Sequence, residues 1–251
     1  MEDESPHPLA TAFLDRSTRM KATDDNHIEG KKGAGQQRVR PLQRVPMEAR
    51  WLEWVRRLQA IAQNGLMFSK DPFDRERYEH VQSIAAEILA SSTEMDPVLI
   101  RQLLRGEQGY ATPKMDVRGA VFHEHRLLFV REKSDGLWTL PGGWADVGES
   151  PAEAVVREIQ EESGFATQVS KLVALYDRNK HEHPPMLFHV YKAFFLCDIV
   201  GGSAAPSLET SEVGFFGQEA LPRLSTERVT LHQVGRLFAH HTNRALPTEF
   251  D

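Results

Sequence analysis

The segment from Gly143 to Phe165, GWADVGESPAEAVVREIQEESGF, constrains this chain more than any other. Three of its carboxylates, Glu158, Glu161 and Glu162, fall at i, i+3 and i+4, so on a helix they share one face. Carboxylates crowded in this way repel one another. The crowding is tolerable when a hard divalent cation sits among them, because Mg2+ and Mn2+ prefer oxygen ligands. The spacing therefore asks for a helix, and for something to neutralise its acidic face.

The signals for that helix are complete. Ser150 serves as N-cap, Pro151 fits the first helical position, and Glu153 completes a Ser-x-x-Glu capping box. Ala152, Val155, Val156 and Ile159 form an apolar stripe beside the acidic face, and Gly164 supplies the stop. In the preceding loop, Leu140-Pro141-Gly142-Gly143-Trp144, two glycines let the backbone pass close to a phosphate or a metal. The carbonyl of Gly142 or Gly143 is an extra ligand there. Arg157 points away from the stripe and can pair with Glu149 across the loop–helix junction. The plainer reading is a solvated, acid-rich surface helix. It leaves the joint fixed spacing of glycines, capping box, arginine and acids without a cause.

This segment resembles the signature box of the Nudix hydrolases, G-x5-E-x7-R-E-U-x-E-E-x-G-U, where U is a bulky apolar residue. Gly143, Glu149, Arg157, Glu158, Ile159, Glu161, Glu162, Gly164 and Phe165 fill every fixed place. The resemblance implies an α/β/α sandwich and hydrolysis of a nucleoside diphosphate linked to another moiety. It implies that Glu158, Glu161 and Glu162 carry Mg2+ or Mn2+. It also implies that Arg157 and Glu149 stabilise the site, and that Gly142 or Gly143 lends a carbonyl.

With 251 residues, 40% hydrophobic and 26% charged, the chain has the length and composition of a soluble globular protein of one large or two small domains. A net charge of −6 gives no support for bulk nucleic-acid binding, though a local basic patch stays open. The single cysteine, Cys197, rules out an intrachain disulfide, and a reducing, cytoplasmic compartment fits. Cys197 sits in an apolar run and reads as a buried small hydrophobe. No stretch is long and apolar enough for a membrane helix, and the N-terminus has no signal-peptide core.

Residues 1–46 read as a disordered extension, polar and too poor in apolar residues to bury a core. Residues 47–110 read as a small helical module. Its first helix carries Trp51, Trp54, Val55, Leu58, Ile61 and Ala62 and ends at Asn64-Gly65. Asp71-Pro72 caps a second, with Val81, Ile84, Ala85, Ile88 and Leu89 as its stripe. Asp96-Pro97 opens a third that stops at Gly106. The elements Arg57–Leu66 and Lys70–Tyr78 resemble the N-terminal helical domain found before some bacterial Nudix domains, whose enzymes act on CDP-choline, ADP-ribose and similar conjugates. That resemblance implies a homodimer in which the helical part helps shape the substrate pocket.

Residues 111–251 read as the Nudix domain, an α/β sandwich preceded by the three-helix module. Strands are expected at Asp116–Phe122 and Arg126–Glu132 around a His-Glu-His turn. Others are expected at Val169–Asp177, Phe188–Ile199 and Val213–Phe216, with a final helix capped by Ser225. Water attacking phosphorus needs a base. Glu161 or Glu162 can serve through the metal, and in several relatives the base is a glutamate before the last strand, where Glu209 and Glu212 stand. Trp138, Trp144, Tyr176 and Phe188 are candidates to stack on a nucleobase, or else core. His181 and His183 make a weak zinc pair and more simply a polar loop; His240-His241 reads as a solvated helix end. Two rivals stay open: a hydrolase acting on RNA ends, and a nucleotide-sensing module without catalysis.

Overall fold

The computed structural model describes residues 47–251, with side chains from Arg50 onward. The expected disordered extension over residues 1–46 lies outside the described residues. The chain divides into two compact units, the first ending at Ala111 and the second running from Thr112 to Asp251.

The first unit contains α1 (Met47–Phe68), α2 (Pro72–Ser92) and α3 (Pro97–Gly106). Asp71 Oδ1 accepts the N–H groups of Phe73 and Asp74 at 2.9 and 3.0 Å, and Asp96 Oδ1 accepts that of Val98 at 2.6 Å. Each aspartate is followed by a proline whose missing N–H is no loss at the first helical position. Buried Leu52, Val55, Ala62, Ala85, Leu89, Ile100 and Leu104 supply apolar contacts in this unit. The expected stop at Asn64-Gly65 is wrong, since α1 runs on to Phe68. A mid-helix glycine costs about 1 kcal/mol but does not end a helix. Here it makes room for a neighbour, because a Cβ on Gly65 would lie 2.3 Å from the Tyr78 ring of α2. Trp54, Ile61 and Ile84, members of the apolar stripes of α1 and α2, are exposed.

The second unit contains β1 (Lys114–His123), β2 (Arg126–Glu132), β3 (Trp138–Thr139), α4 (Pro151–Ser163), β4 (Phe165–Asp177), β5 (Val190–Gly202), β6 (Thr210–Phe216), α5 (Leu231–Thr242) and β7 (Glu249–Phe250). The strands join in the order β3-β2-β1-β5-β4-β7, with β6 paired to β2. β1 and β5 run parallel, from Lys114 against Val190 to Val121 against Cys197. β1 and β2 pair only at Phe122–Leu127 and His123–Arg126, so they diverge from their shared hairpin. The opened edge of β1 is filled by the glycine loop. Pro141 and Gly143 carbonyls accept the N–H groups of Gly119 and Val117, and Met115 accepts from Ala145.

α4 and α5 cover opposite faces of this sheet. Ala154, Val155 and Ile159 of α4 pack with Val117, Val121, Ala193 and Phe195, whereas Val234, Leu237 and Phe238 of α5 pack with Ala120, Phe194 and Leu196. Odd and even positions of β1 and β5 thus feed different layers, as strand alternation requires. The result is the expected α/β/α sandwich. β4 and β6 begin earlier than expected and β5 later, while β3 and β7, two residues each, carry too little pattern to be read from sequence. Ser225 does not cap the last helix. Thr230 does, through a capping box with Gln233, and Ser225 instead joins a turn with Asp135 and Arg228. His240 is no solvated end: it is buried, with Nε2 2.9 Å from Glu249.

Candidate active site

α4 is fixed at both ends before any chemistry begins. Ser150 Oγ accepts the Glu153 N–H while the Glu153 carboxylate accepts the Ser150 N–H at 2.8 Å, the expected capping box. Gly164 takes the left-handed conformation at φ 78 and returns its N–H to Gln160. The helix sits close on the sheet because Gly119 has no side chain: a Cβ there would lie 2.5 Å from Ile159. The buried contacts come from Ala154, Val155 and Ile159, so Ala154 takes the core position expected of Ala152.

The acidic face is organised by Arg157. Its Nε and Nη2 grip both oxygens of Glu149 at 2.8 and 3.0 Å, a bidentate pair across the loop–helix junction. Its Nη1 donates to Glu158 at 3.1 Å and to Glu161 at 2.9 Å. Glu162 turns inward, and its Oε2 accepts the N–H of Gly142 at 2.8 Å. Gly142 has φ 140, and a Cβ on it would lie 2.0 Å from the Val117 carbonyl oxygen. A Cβ on Gly143 would lie 2.9 Å from the Glu158 carboxylate. Gly142 is therefore required by close approach to backbone, whereas Gly143 lies directly against the movable end of Glu158 on the acidic face.

Burial raises the proton affinity of the inner acids. It pushes Glu158 up to about 7 against the opposing pull of Arg157 and Arg118, and it lifts Glu162 well above the carboxylate range despite Arg118. Glu149 moves the other way because Arg157 is hydrogen-bonded to it. Among the described residues no three His, Cys, Asp or Glu side chains converge closely enough to hold an ion. Their bonds divide them: Arg157 holds Glu158 and Glu161, while the Gly142 N–H holds Glu162. The donor set still suits a hard divalent cation. It offers oxygen ligands from one helix face, and Glu162, buried, and Glu158, half-buried, are costly to ionise without added positive charge.

The other sequence candidates scatter. Trp144 is half-buried beside the site, its backbone bridged to Asp116. Trp138 is half-buried in β3 and packs edge-on against Phe216 at 4.9 Å. Tyr176 is core rather than a stacking platform: it is buried on the α5 side and its hydroxyl is bonded to Glu249. Phe188 lies under Lys114, 4.9 Å from the ammonium. Glu212 pairs with Arg131 at 2.5 Å, and Glu209 is exposed in the turn before β6. His181 meets Asp251 at 3.1 Å, and both ring nitrogens of His183 are engaged, by Thr226 at 2.7 Å and Gln233 at 3.0 Å, which removes the zinc reading. Cys197 is buried and free, its thiol pushed up to about 12 by burial.

The sequence reading missed a buried ionic group behind the loop. Asp116 accepts Arg118 at 2.8 and 3.0 Å and Lys192 at 2.5 Å, and Glu132 pairs with Arg228 at 3.2 Å. The available signals were opposite charges at i, i+2 on one strand and a lone lysine inside the bulky run Phe188–Cys197.

Comparison with known proteins agrees with this geometry. Residues 49–104 match the family described as a UDP-X-like, N-terminal oligomerisation domain, and residues 112–234 match the NUDIX domain. YjhB of Bacillus subtilis (strain 168), provisionally named an ADP-ribose pyrophosphatase, is 48% identical over 207 residues, 82% of this chain and 100% of the relative. An ADP-ribose pyrophosphatase of Methanocaldococcus jannaschii is 33% identical over 122 residues, 46% of this chain and 69% of the relative. Among solved structures, a UDP-X diphosphatase superposes with a TM-score of 0.53 at 33% identity, covering 81% of this chain and 99% of its own. An ADP-ribose pyrophosphatase from Streptococcus suis gives 0.52 at 39% identity, covering 56% of this chain and 100% of its own.

Proposed function

The chain belongs to the Nudix hydrolases, and from that premise we propose that this pyrophosphohydrolase cleaves the diphosphate bridge of a nucleoside diphosphate linked to another group, with ADP-ribose as the first substrate to test. The observation that carries the reading is the acidic face of α4, with Glu158, Glu161 and Glu162 beside the Gly142-Gly143 loop. The names of its relatives favour ADP-ribose, and the UDP-X diphosphatase widens the class to other conjugates.

Glu158, Glu161, Glu162 and the Gly142 carbonyl would hold Mg2+ or Mn2+. Of the two glycine carbonyls, Gly143's already accepts the Val117 N–H. The bound cation would neutralise charge on the phosphate oxygens and acidify the attacking water. Arg157 and Glu149 keep the acidic face in register. Glu161 or Glu162 takes the water's proton, or a carboxylate of the 209–212 segment does so, Glu212 only by leaving Arg131. The products are a nucleoside monophosphate and a phosphorylated second group.

The test is a panel of ADP-ribose, CDP-choline, UDP-sugars and triphosphate-capped RNA, assayed with Mg2+ and with Mn2+, with products separated by chromatography. A nucleoside monophosphate released from one or more of the small conjugates is the expected result. Turnover confined to RNA, or none at all, would overturn it.

A further inference from the structure

We propose that Arg118 is a positioning residue of the hydrolytic site, clamping the Leu140–Trp144 loop so that Gly142 and Glu162 keep their places. The inference rests on the hydrolytic reading above. Arg118 springs from β1 on the face that carries Ala120, away from the α4 layer, and is 5% exposed. Its Nη1 donates to the carbonyl of Leu140 at 3.2 Å, two residues before Gly142. Its Nε and Nη2 form a fork on Asp116 at 3.0 and 2.8 Å. Lys192 on β5, 2% exposed, fixes the same carboxylate from the neighbouring strand at 2.5 Å. A line of contacts thus runs from β5 through Asp116 and Arg118 to the loop.

Two further observations tie this line to the site. A Cβ on Gly142 would lie 2.9 Å from the Arg118 Cα, so the loop rests on β1 at this residue. Moreover, Glu162 grips the Gly142 N–H while Arg118 grips the Leu140 carbonyl, so the two groups hold the same short segment at separate points. A buried ion cluster is seldom more stable than well-packed apolar side chains of similar volume. Stability alone is therefore a poor reason for this one, and loop placement is a better one.

Two variants test the proposal. Arg118→Lys keeps the charge and loses the fork. The triple variant Asp116→Leu, Arg118→Met, Lys192→Met replaces the whole cluster by apolar groups and is expected to fold, with a melting temperature equal to or above wild type. For each, the Mn2+ concentration giving half of the Mn2+-induced rise in melting temperature is measured without substrate, and then kcat and KM on ADP-ribose. The expected outcome is a half-saturating Mn2+ raised about tenfold and kcat lowered about 10- to 100-fold, with KM within about threefold. Wild-type Mn2+ response and kcat in the folded triple variant would overturn the proposal and leave the cluster purely structural. A triple variant unable to fold would also overturn it. If wild type itself hydrolyses no conjugate and ignores Mn2+, the hydrolytic reading falls and this inference with it. An active wild type with indifferent variants sinks this inference alone.

Discussion

Glu162 carries opposing demands within a single side chain. Its carboxylate is buried at a cost that raises its proton affinity, yet it anchors the Gly142 N–H. Glu162→Gln keeps an oxygen to accept that N–H and removes the charge. We predict that the metal-free protein melts at the same temperature or slightly higher, that its stabilisation by Mg2+ or Mn2+ shrinks, and that turnover falls about 100-fold or more. Wild-type turnover by this variant at ordinary Mg2+ would remove Glu162 from the mechanism. His183 allows a cleaner test of charge. Burial, with Lys192 and Arg178 nearby, pushes it down to about 3 from an ordinary 6.5. Between those values the unfolded chain binds the proton and the folded chain does not, so the contribution of His183 to stability is whole above 6.5 and is lost as the pH falls toward 3. We predict that His183→Gln, which cannot take up that proton, shows a shallower loss of stability across this window. Parallel slopes in urea titrations of the two proteins from pH 6.5 to 4 would contradict it.

Whole elements show how far local signals reach. α4 was legible but for the exchange of Ala152 with Ala154 in the core, because its caps, its apolar stripe and its acids are all local in sequence. The loop before it was legible as a close approach, though not as the edge partner of β1, since that pairing needs β1 and β2 to diverge. In β1 the alternation of Asp116, Arg118 and apolar residues is the pattern of a strand with one wet face, whereas Lys192 and the glycine loop cover that face. Asn64-Gly65 looked like a stop because the Tyr78 ring that requires the glycine comes from a different helix. The cap of the last helix is Thr230 rather than Ser225, and its Thr-x-x-Gln box with Gln233 is as local in sequence as the box that opens α4. The paired glycines of the loop give a prediction at this scale. Gly142→Ala places a Cβ against backbone at a φ that L residues avoid, and we expect a loss of at least about 3 kcal/mol or failure to fold. Gly143→Ala meets only the movable end of Glu158, so the fold survives while the cation response weakens. Equal melting temperatures for the two variants would refute this account of the loop.

At the scale of the whole molecule the question is what covers α1. Trp54, Ile61 and Phe68 repeat every seven residues along it and are 52%, 55% and 64% exposed. Residues seven apart lie close to one line on a helix, so these three form an apolar stripe rather than scattered surface residues. A contiguous apolar stripe on a small helical unit is costly in water and usually marks an association surface. The family matched by residues 49–104 is described as an oligomerisation domain. We infer that two copies of this chain meet through α1 in a symmetric dimer, the same stripe facing itself across a two-fold axis. Because each residue in such an interface counts twice, a single charge placed in it acts twice. Ile61→Glu would set two carboxylates against apolar partners. We therefore predict that wild type sediments as a dimer at micromolar concentration and that Ile61→Glu sediments as a monomer, with the metal response of the second unit unchanged. The control is Glu53→Lys, which changes a solvent-exposed charge on the same helix and should leave the dimer in place. A wild-type protein that is monomeric throughout the accessible concentration range would leave the stripe to a different partner, and a dimer that survives Ile61→Glu would move the interface off α1.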